Sequence, residues 1–157
     1  MAIQTFRSAK AASPKEMAGA IVSAKQAADP IYVLAIRFYE SKNYPKALRL
    51  MEYLLRSQVP ELRYLRTTAI MLQADQQLER ALEFYERAAN MNPLNDPRIP
   101  LGQAQCLVML KQYAKALPYL EEVWERLKSP ELPAGQRNEL VRICSPLLER
   151  VKELTKH

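Results

Sequence analysis

Three alanines set the frame for this chain. Ala47, Ala81 and Ala116 each sit inside a helix-forming run (KALRLMEYLL, RALEFYERAA and KALPYLEEVW), and they recur at intervals of 34 and 35 residues. Other positions keep the same register. A small residue stands twelve before each of them (Ala35, Ala69, Ala104), and a large apolar residue follows three later (Phe38, Leu72, Leu107). Beyond the framing alanines come Met51, Tyr85 and Leu120 at plus four, then Leu54, Ala88 and Val123 three further on. A unit repeated in this way cannot bury its apolar face alone and must stack on its neighbours.

Thirty-four residues is the period of the tetratricopeptide repeat, a pair of antiparallel helices. Small residues such as Ala35 and Ala47 let the two helices of a hairpin approach closely, and the large ones fill the space between hairpins. The chain has only three Gly and is dominated by Ala, Leu, Glu, Lys, Arg and Gln, a helix-forming composition. The fold class is therefore all-α: a tetratricopeptide-repeat solenoid of three helix hairpins with an N-terminal helix and a C-terminal capping helix. Helices are predicted near 14–28, 30–41, 45–57, 61–74, 77–91, 97–110, 114–128 and 136–156. Ser13-Pro14-Lys15-Glu16 reads as a capping box with Pro at the first helical position, and Asp29-Pro30 and Asp96-Pro97 repeat the cap-then-Pro pattern. Pro93 closes the second repeat; Pro60 closes the first one residue late, and Lys128 holds that place in the third. One domain results, with an N-terminal segment over 1–29, the repeats over 30–128, and a loop and last helix over 129–157. Leu140, Cys144, Leu147, Leu148, Val151 and Leu154 form one stripe on that last helix, whose expected role is to cap the third repeat, with a dimer or partner contact as the alternative; Pro146 inside it should bend it.

Several kinds of function are disfavoured. The longest apolar run, Ile31 to Ile36, is far below the roughly 20 residues that span a bilayer. No apolar stretch of a secretory signal follows Met1, so a cytoplasmic location is expected. Cys106 and Cys144 are then reduced, buried thiols. The only histidine is His157, which removes Ser-His, Cys-His and His-metal chemistry together, and Gly19, Gly102 and Gly135 are too scattered for a phosphate loop. No enzyme, metal or cofactor is expected. The net charge is +6, but no two basic residues are adjacent and most are interleaved with acids on helical faces, as in Glu121, Glu122, Glu125, Arg126 and Lys128. Base-stacking repeats carry an aromatic or Arg once per unit. Tyr32, Arg66 and Leu101, at equivalent positions, show no such code, so nucleic acid is not the expected partner.

A tetratricopeptide array curves, with the first helix of each hairpin lining its concave side. The residues expected there are Tyr32, Ile36 and Tyr39 in the first repeat, Arg66, Ile70 and Gln73 in the second, and Leu101, Gln105 and Val108 in the third, with Arg63 and Arg98 at the lip. Tyrosines supply contact area with a polar tip, and Gln and Arg can bond the backbone of an extended peptide. A mixed surface of this sort suits an extended, partly apolar peptide. Cover by the chain's own N-terminal helix, or by a dimer mate, is the alternative use.

The stretch Asn95-Asp96-Pro97-Arg98-Ile99-Pro100-Leu101-Gly102-Gln103-Ala104-Gln105-Cys106 goes beyond the generic repeat. It resembles the third-repeat signature of the class II chaperones of bacterial type III secretion, which serve translocator proteins. The first repeat, YVLAIRFYESKNYPKAL, is similar to theirs too, and the resemblance covers about residues 14–128. It implies a cytosolic, ATP-independent chaperone that binds hydrophobic, pore-forming translocators before secretion. An extended Pro-x-Leu-x-x-Pro segment of the client would lie in the concave groove, with the family's aromatic pocket falling on Tyr32, Ile36 and Tyr39. Ile36 is aliphatic where an aromatic is common. The family often forms dimers through its N-terminal region. Departures from its pattern are the basic charge, Thr68 in place of a large apolar residue, and Gln76 in place of Gly. The alternative reading is a generic tetratricopeptide scaffold for a folded partner or a short C-terminal motif.

Overall fold

A computed structural model of the chain describes residues 29–57, 61–91 and 96–156. The helix expected over 14–28, its capping box, Pro60, Pro93 and His157 lie outside the described residues. Among those described, seven helices follow one another with no strand: α1 (Pro30–Glu40), α2 (Tyr44–Ser57), α3 (Leu62–Ala74), α4 (Leu78–Met91), α5 (Arg98–Met109), α6 (Tyr113–Arg126) and α7 (Ala134–Leu154). They pair as hairpins α1/α2, α3/α4 and α5/α6, each helix packs on the next, and α5 also touches α3 and α7.

The repeat register explains the packing. Ala35, Ala47, Ala69, Ala81, Ala104 and Ala116 have no exposed surface, so the helix axes meet at these small side chains. Of the large residues at the other register positions, Met51, Leu54, Leu72, Leu120 and Val123 are equally buried, and Phe38 is half-buried. One core cluster runs from Tyr32 of α1 through α4 to Ile99 and Cys106 of α5. A second joins Leu101 and Ala104 of α5 to α6 and to Leu140, Cys144, Leu148 and Val151 of α7. Helix α5 thus has a face in each and holds the two halves together. Thr68 is tolerated in this core because its hydroxyl donates to the Tyr64 carbonyl one turn back at 2.7 Å.

The helix ends follow the sequence signals. Asp29 accepts from the Ile31 N–H at 2.7 Å, with Pro30 leading α1. Asp96 accepts from the Arg98 N–H at 2.9 Å ahead of α5. Helix α7 continues through Pro146.

Within each hairpin, the turn holds one residue in the left-handed region at the same register: Lys42 (φ 64°), Gln76 (φ 65°) and Lys111 (φ 61°). The following N–H reaches back to close each inner helix, Asn43 to Phe38 O at 2.8 Å, Gln77 to Leu72 O at 2.9 Å, and Gln112 to Leu107 O at 2.8 Å. This is the Schellman closure, whose left-handed position favours glycine. A side chain there costs about 1–2 kcal/mol, partly offset by the greater freedom glycine gives the unfolded chain. Changing all three positions to Gly is expected to raise the melting temperature, by roughly 2–4 °C for each kcal/mol gained. An unchanged or lower value in a thermal melt would remove strain at these turns as an explanation.

Candidate peptide-binding groove

The inner helices are α1, α3, α5 and, following them, α7. Ile70, Gln73, Gln105 and Val108 lie half-buried on α3 and α5, as does Tyr39 on α1. Gln73, Gln105 and Val108 come together, with Met109, around an open cavity of about 540 Å³. Its far wall is formed by Ile143, Pro146, Leu147 and Arg150 of α7. These four lie at i, i+3, i+4 and i+7, one face of a helix.

Tyr85 of α4 fixes one of the groove amides. Its buried hydroxyl donates to Gln73 Oε1 at 2.8 Å. The amide nitrogen of Gln73 is thereby turned outward, 4.0 Å from Met109 Sδ. Burial raises the Tyr85 phenol far above its ordinary value, so it stays a donor. Its ring lies against Gly102, where a Cβ would come within 2.3 Å of the ring carbon Cζ. The third repeat has Gly at this position because the aromatic of the second occupies the space.

Other expected groove residues have different surroundings. Tyr32 and Ile36 are 0% and 1% exposed, so they wall the groove from behind and do not open onto it. For Tyr32 the reason is the first turn of α3. Tyr64 packs on the Tyr32 ring at 5.2 Å between centroids, and Arg63 lies over both rings. The Tyr32 hydroxyl shares a 2.8 Å hydrogen bond with Thr67, and burial pushes its pKa up to about 12. Leu101 is also buried, in the α5–α7 core.

Arg66 and Arg98 are committed within the chain. The Asp96 carboxylate is 2.9 Å from Arg66 Nη1 and 2.7 Å from Arg98 Nη2. Arg126 donates to the Asp96 carbonyl at 3.0 Å and pairs with Glu122. Burial alone would raise the Asp96 carboxyl; the hydrogen bonds and charge of Arg98, with the charge of Arg66, outweigh it and hold the carboxyl below its usual range. Burial, with the like charge of Arg98, lowers the Arg66 guanidinium. Asp96 therefore ties the second repeat to the third instead of leaving two arginines for a ligand. Arg63 pairs with Glu61 at 3.2 Å.

Among the described residues, no three His, Cys, Asp or Glu side chains group as metal ligands, and no helix is long and apolar enough to cross a membrane. Cys106 and Cys144 are buried free thiols whose pKa values burial pushes up to about 12 and about 11, which keeps them protonated and unreactive.

Three stacked hairpins on a 34-residue period, closed by the same turn and lined on one side by their first helices, define a tetratricopeptide-repeat protein. Among solved structures, the fold is similar to that of the Yersinia enterocolitica type III secretion chaperone SycD in complex with a peptide of the translocator YopD. The identity is 25% and the TM-score 0.71, over 85% of this chain and 95% of that one. SycD in an alternative dimer matches at 26% identity and TM-score 0.71, over 81% of this chain and 92% of that one. Pseudomonas aeruginosa PcrH shares the fold at 24% identity and TM-score 0.67, over 78% of this chain and 89% of that one. No protein-family model matches the sequence, and no curated protein sequence does. The resemblance to the class II translocator chaperones, read from the first and third repeats, extends to the described fold as a whole.

Proposed function

We propose that the chain is a cytoplasmic secretion chaperone that holds an extended segment of a hydrophobic type III translocator in its groove. It keeps the client soluble until secretion, and it works by binding alone, without catalysis. The observation that carries this reading is the inner-helix surface: Tyr39, Ile70, Gln73, Gln105 and Val108 give half-buried apolar area beside two amides, one of them oriented by Tyr85. It is supported by the likeness to SycD, whose solved complex holds a translocator peptide. Hiding apolar client surface is worth roughly 25 cal/mol per Å². Release at secretion requires moderate affinity, about −8 to −12 kcal/mol.

The test is fluorescence anisotropy with a labelled peptide of Pro-x-Leu-x-x-Pro pattern. Saturable binding is expected, and Ile70→Glu is expected to weaken it at least tenfold, about 1.4 kcal/mol, with the circular dichroism spectrum unchanged. Wild type that fails to bind the peptide, or Ile70→Glu that binds it as tightly, would refute the groove as the binding face.

A further inference from the structure

We propose that α7 is a fourth inner wall of the groove, and that with α5 it takes an aliphatic side chain of the same extended client segment. This rests on the binding function proposed above.

Helix α7 is apolar over more than its core face. Leu140, Cys144, Leu148 and Val151 turn inward and bury in the core shared with α5 and α6. A helix serving only to seal the end of a solenoid needs no second apolar face; the outer surface of a capping unit is polar. Here the apolar surface runs on past the core face: Ile143 and Leu147, which pack partly against that core, look with Pro146 into the cavity of about 540 Å³, opposite Val108 and Met109 of α5. Ile143, Leu147 and Val108 are only half-buried, and Met109 is 43% exposed at the rim. Met is unbranched and polarizable, which suits a wall that must adapt to an entering side chain.

The occupant follows from chemistry and continuity. The cavity is open to solvent on one side and is shared by Gln73 and Gln105, which belong to the groove itself. A chain lying across α3 and α5 therefore meets it without a change of course. The lining carries no carboxylate, and Arg150 at its edge is 3.6 Å from Glu153. An uncharged aliphatic side chain fits this lining; an acidic or basic one has no buried partner. Packed helices stand about 8–10 Å apart and an extended chain rises about 3.3 Å per residue, so the extra anchor falls roughly three residues beyond the segment lying on the first three inner helices.

Two labelled peptides test this: one ending at the Pro-x-Leu-x-x-Pro core, and one carrying a leucine three residues beyond each end. Each is titrated against wild type, Met109→Glu, Leu147→Glu and Ile70→Glu. Wild type is expected to bind the long peptide at least tenfold tighter than the core. Met109→Glu and Leu147→Glu should erase that gain, and Leu147→Glu, on the far wall, should leave core binding intact, whereas Ile70→Glu should weaken both. If Leu147→Glu fails to fold, Met109→Glu, at an exposed rim position, decides the matter. Equal affinity of wild type for both peptides overturns the fourth wall and leaves the groove standing. Failure of both peptides to bind wild type overturns the groove and the fourth wall together. Dissociation of a dimer by Met109→Glu, with the long peptide's advantage retained, assigns the slot to a second copy of the chain and overturns the proposal.

Discussion

An Asp96→Ala variant is expected to unfold about 3 kcal/mol more easily than wild type, the lower end of the range for breaking a buried ion pair by removing one partner. The lower end applies because Arg98 is 40% exposed and can recover solvation, whereas Arg66 is 14% exposed and cannot. The loss has a second source, since Asp96 also caps α5 through the Arg98 N–H. Arg66→Ala should accordingly cost more than Arg98→Ala. The Asp96 carboxyl is held below its usual range in the folded chain, so its charged form contributes stability in full above the unfolded value of about 3.9. That contribution is lost as pH falls through the folded value. Urea titrations should therefore show a constant gap between wild type and Asp96→Asn above about pH 5, closing below about pH 4. A gap independent of pH would mean that the network acts by shape and not by charge.

Gly102→Ala is the second large effect. In an exposed helix interior this change gains about 1 kcal/mol. Here the new methyl would meet the Tyr85 ring, with Cζ at 2.3 Å, Cε1 at 2.4 Å and the hydroxyl oxygen at 2.7 Å. The ring is buried at the α4/α5 contact and anchored to Gln73, so the helices must separate or the ring must leave its rotamer. Overpacking of this kind costs about 1–3 kcal/mol and sometimes more. The variant should melt lower, and adding Tyr85→Leu should recover part of the loss, a coupling readable in a double-mutant cycle. It should also weaken peptide binding, because moving Tyr85 releases the Gln73 amide. A melting temperature that rises in Gly102→Ala would show that the α4/α5 contact yields easily.

Much of this was legible in the chain. The repeated alanines located the hairpins because helix approach depends on side-chain size at a few fixed positions, which a period exposes directly. The Asp-Pro caps located the starts of α1 and α5 for a similarly local reason. The groove was legible only in part. Tyr32 and Ile36 share a helical stripe with Tyr39, but Tyr32 packs under Tyr64 and Arg63, some thirty residues away in sequence. Arg66 and Asp96 are equally distant, so their pairing leaves no local trace; the Asp96–Arg98 pair, two residues apart, could have been suspected. On α7, Leu147 does pack against the core of Leu140, Cys144 and Leu148, as its stripe implies. What the stripe does not show is that Ile143 and Pro146 extend that apolar surface into the cavity.

The three left-handed turns bear on the order in which the molecule comes apart. Lys42, Gln76 and Lys111 have nearly the same φ, so the hairpins carry comparable local cost and none is a weak joint. In a linear array whose units are alike, the order of opening is set by the number of neighbours each unit has, and fraying proceeds inward from the ends. Among the described helices, α3/α4 has a packed neighbour on both sides, through α2 and α5, and so does α5/α6, through α4 and α7. These two hairpins are therefore the last to open. Ile70 and Gln73 belong to the first of them and Gln105 and Val108 to the second, so a client held there stays engaged while the outer helices breathe.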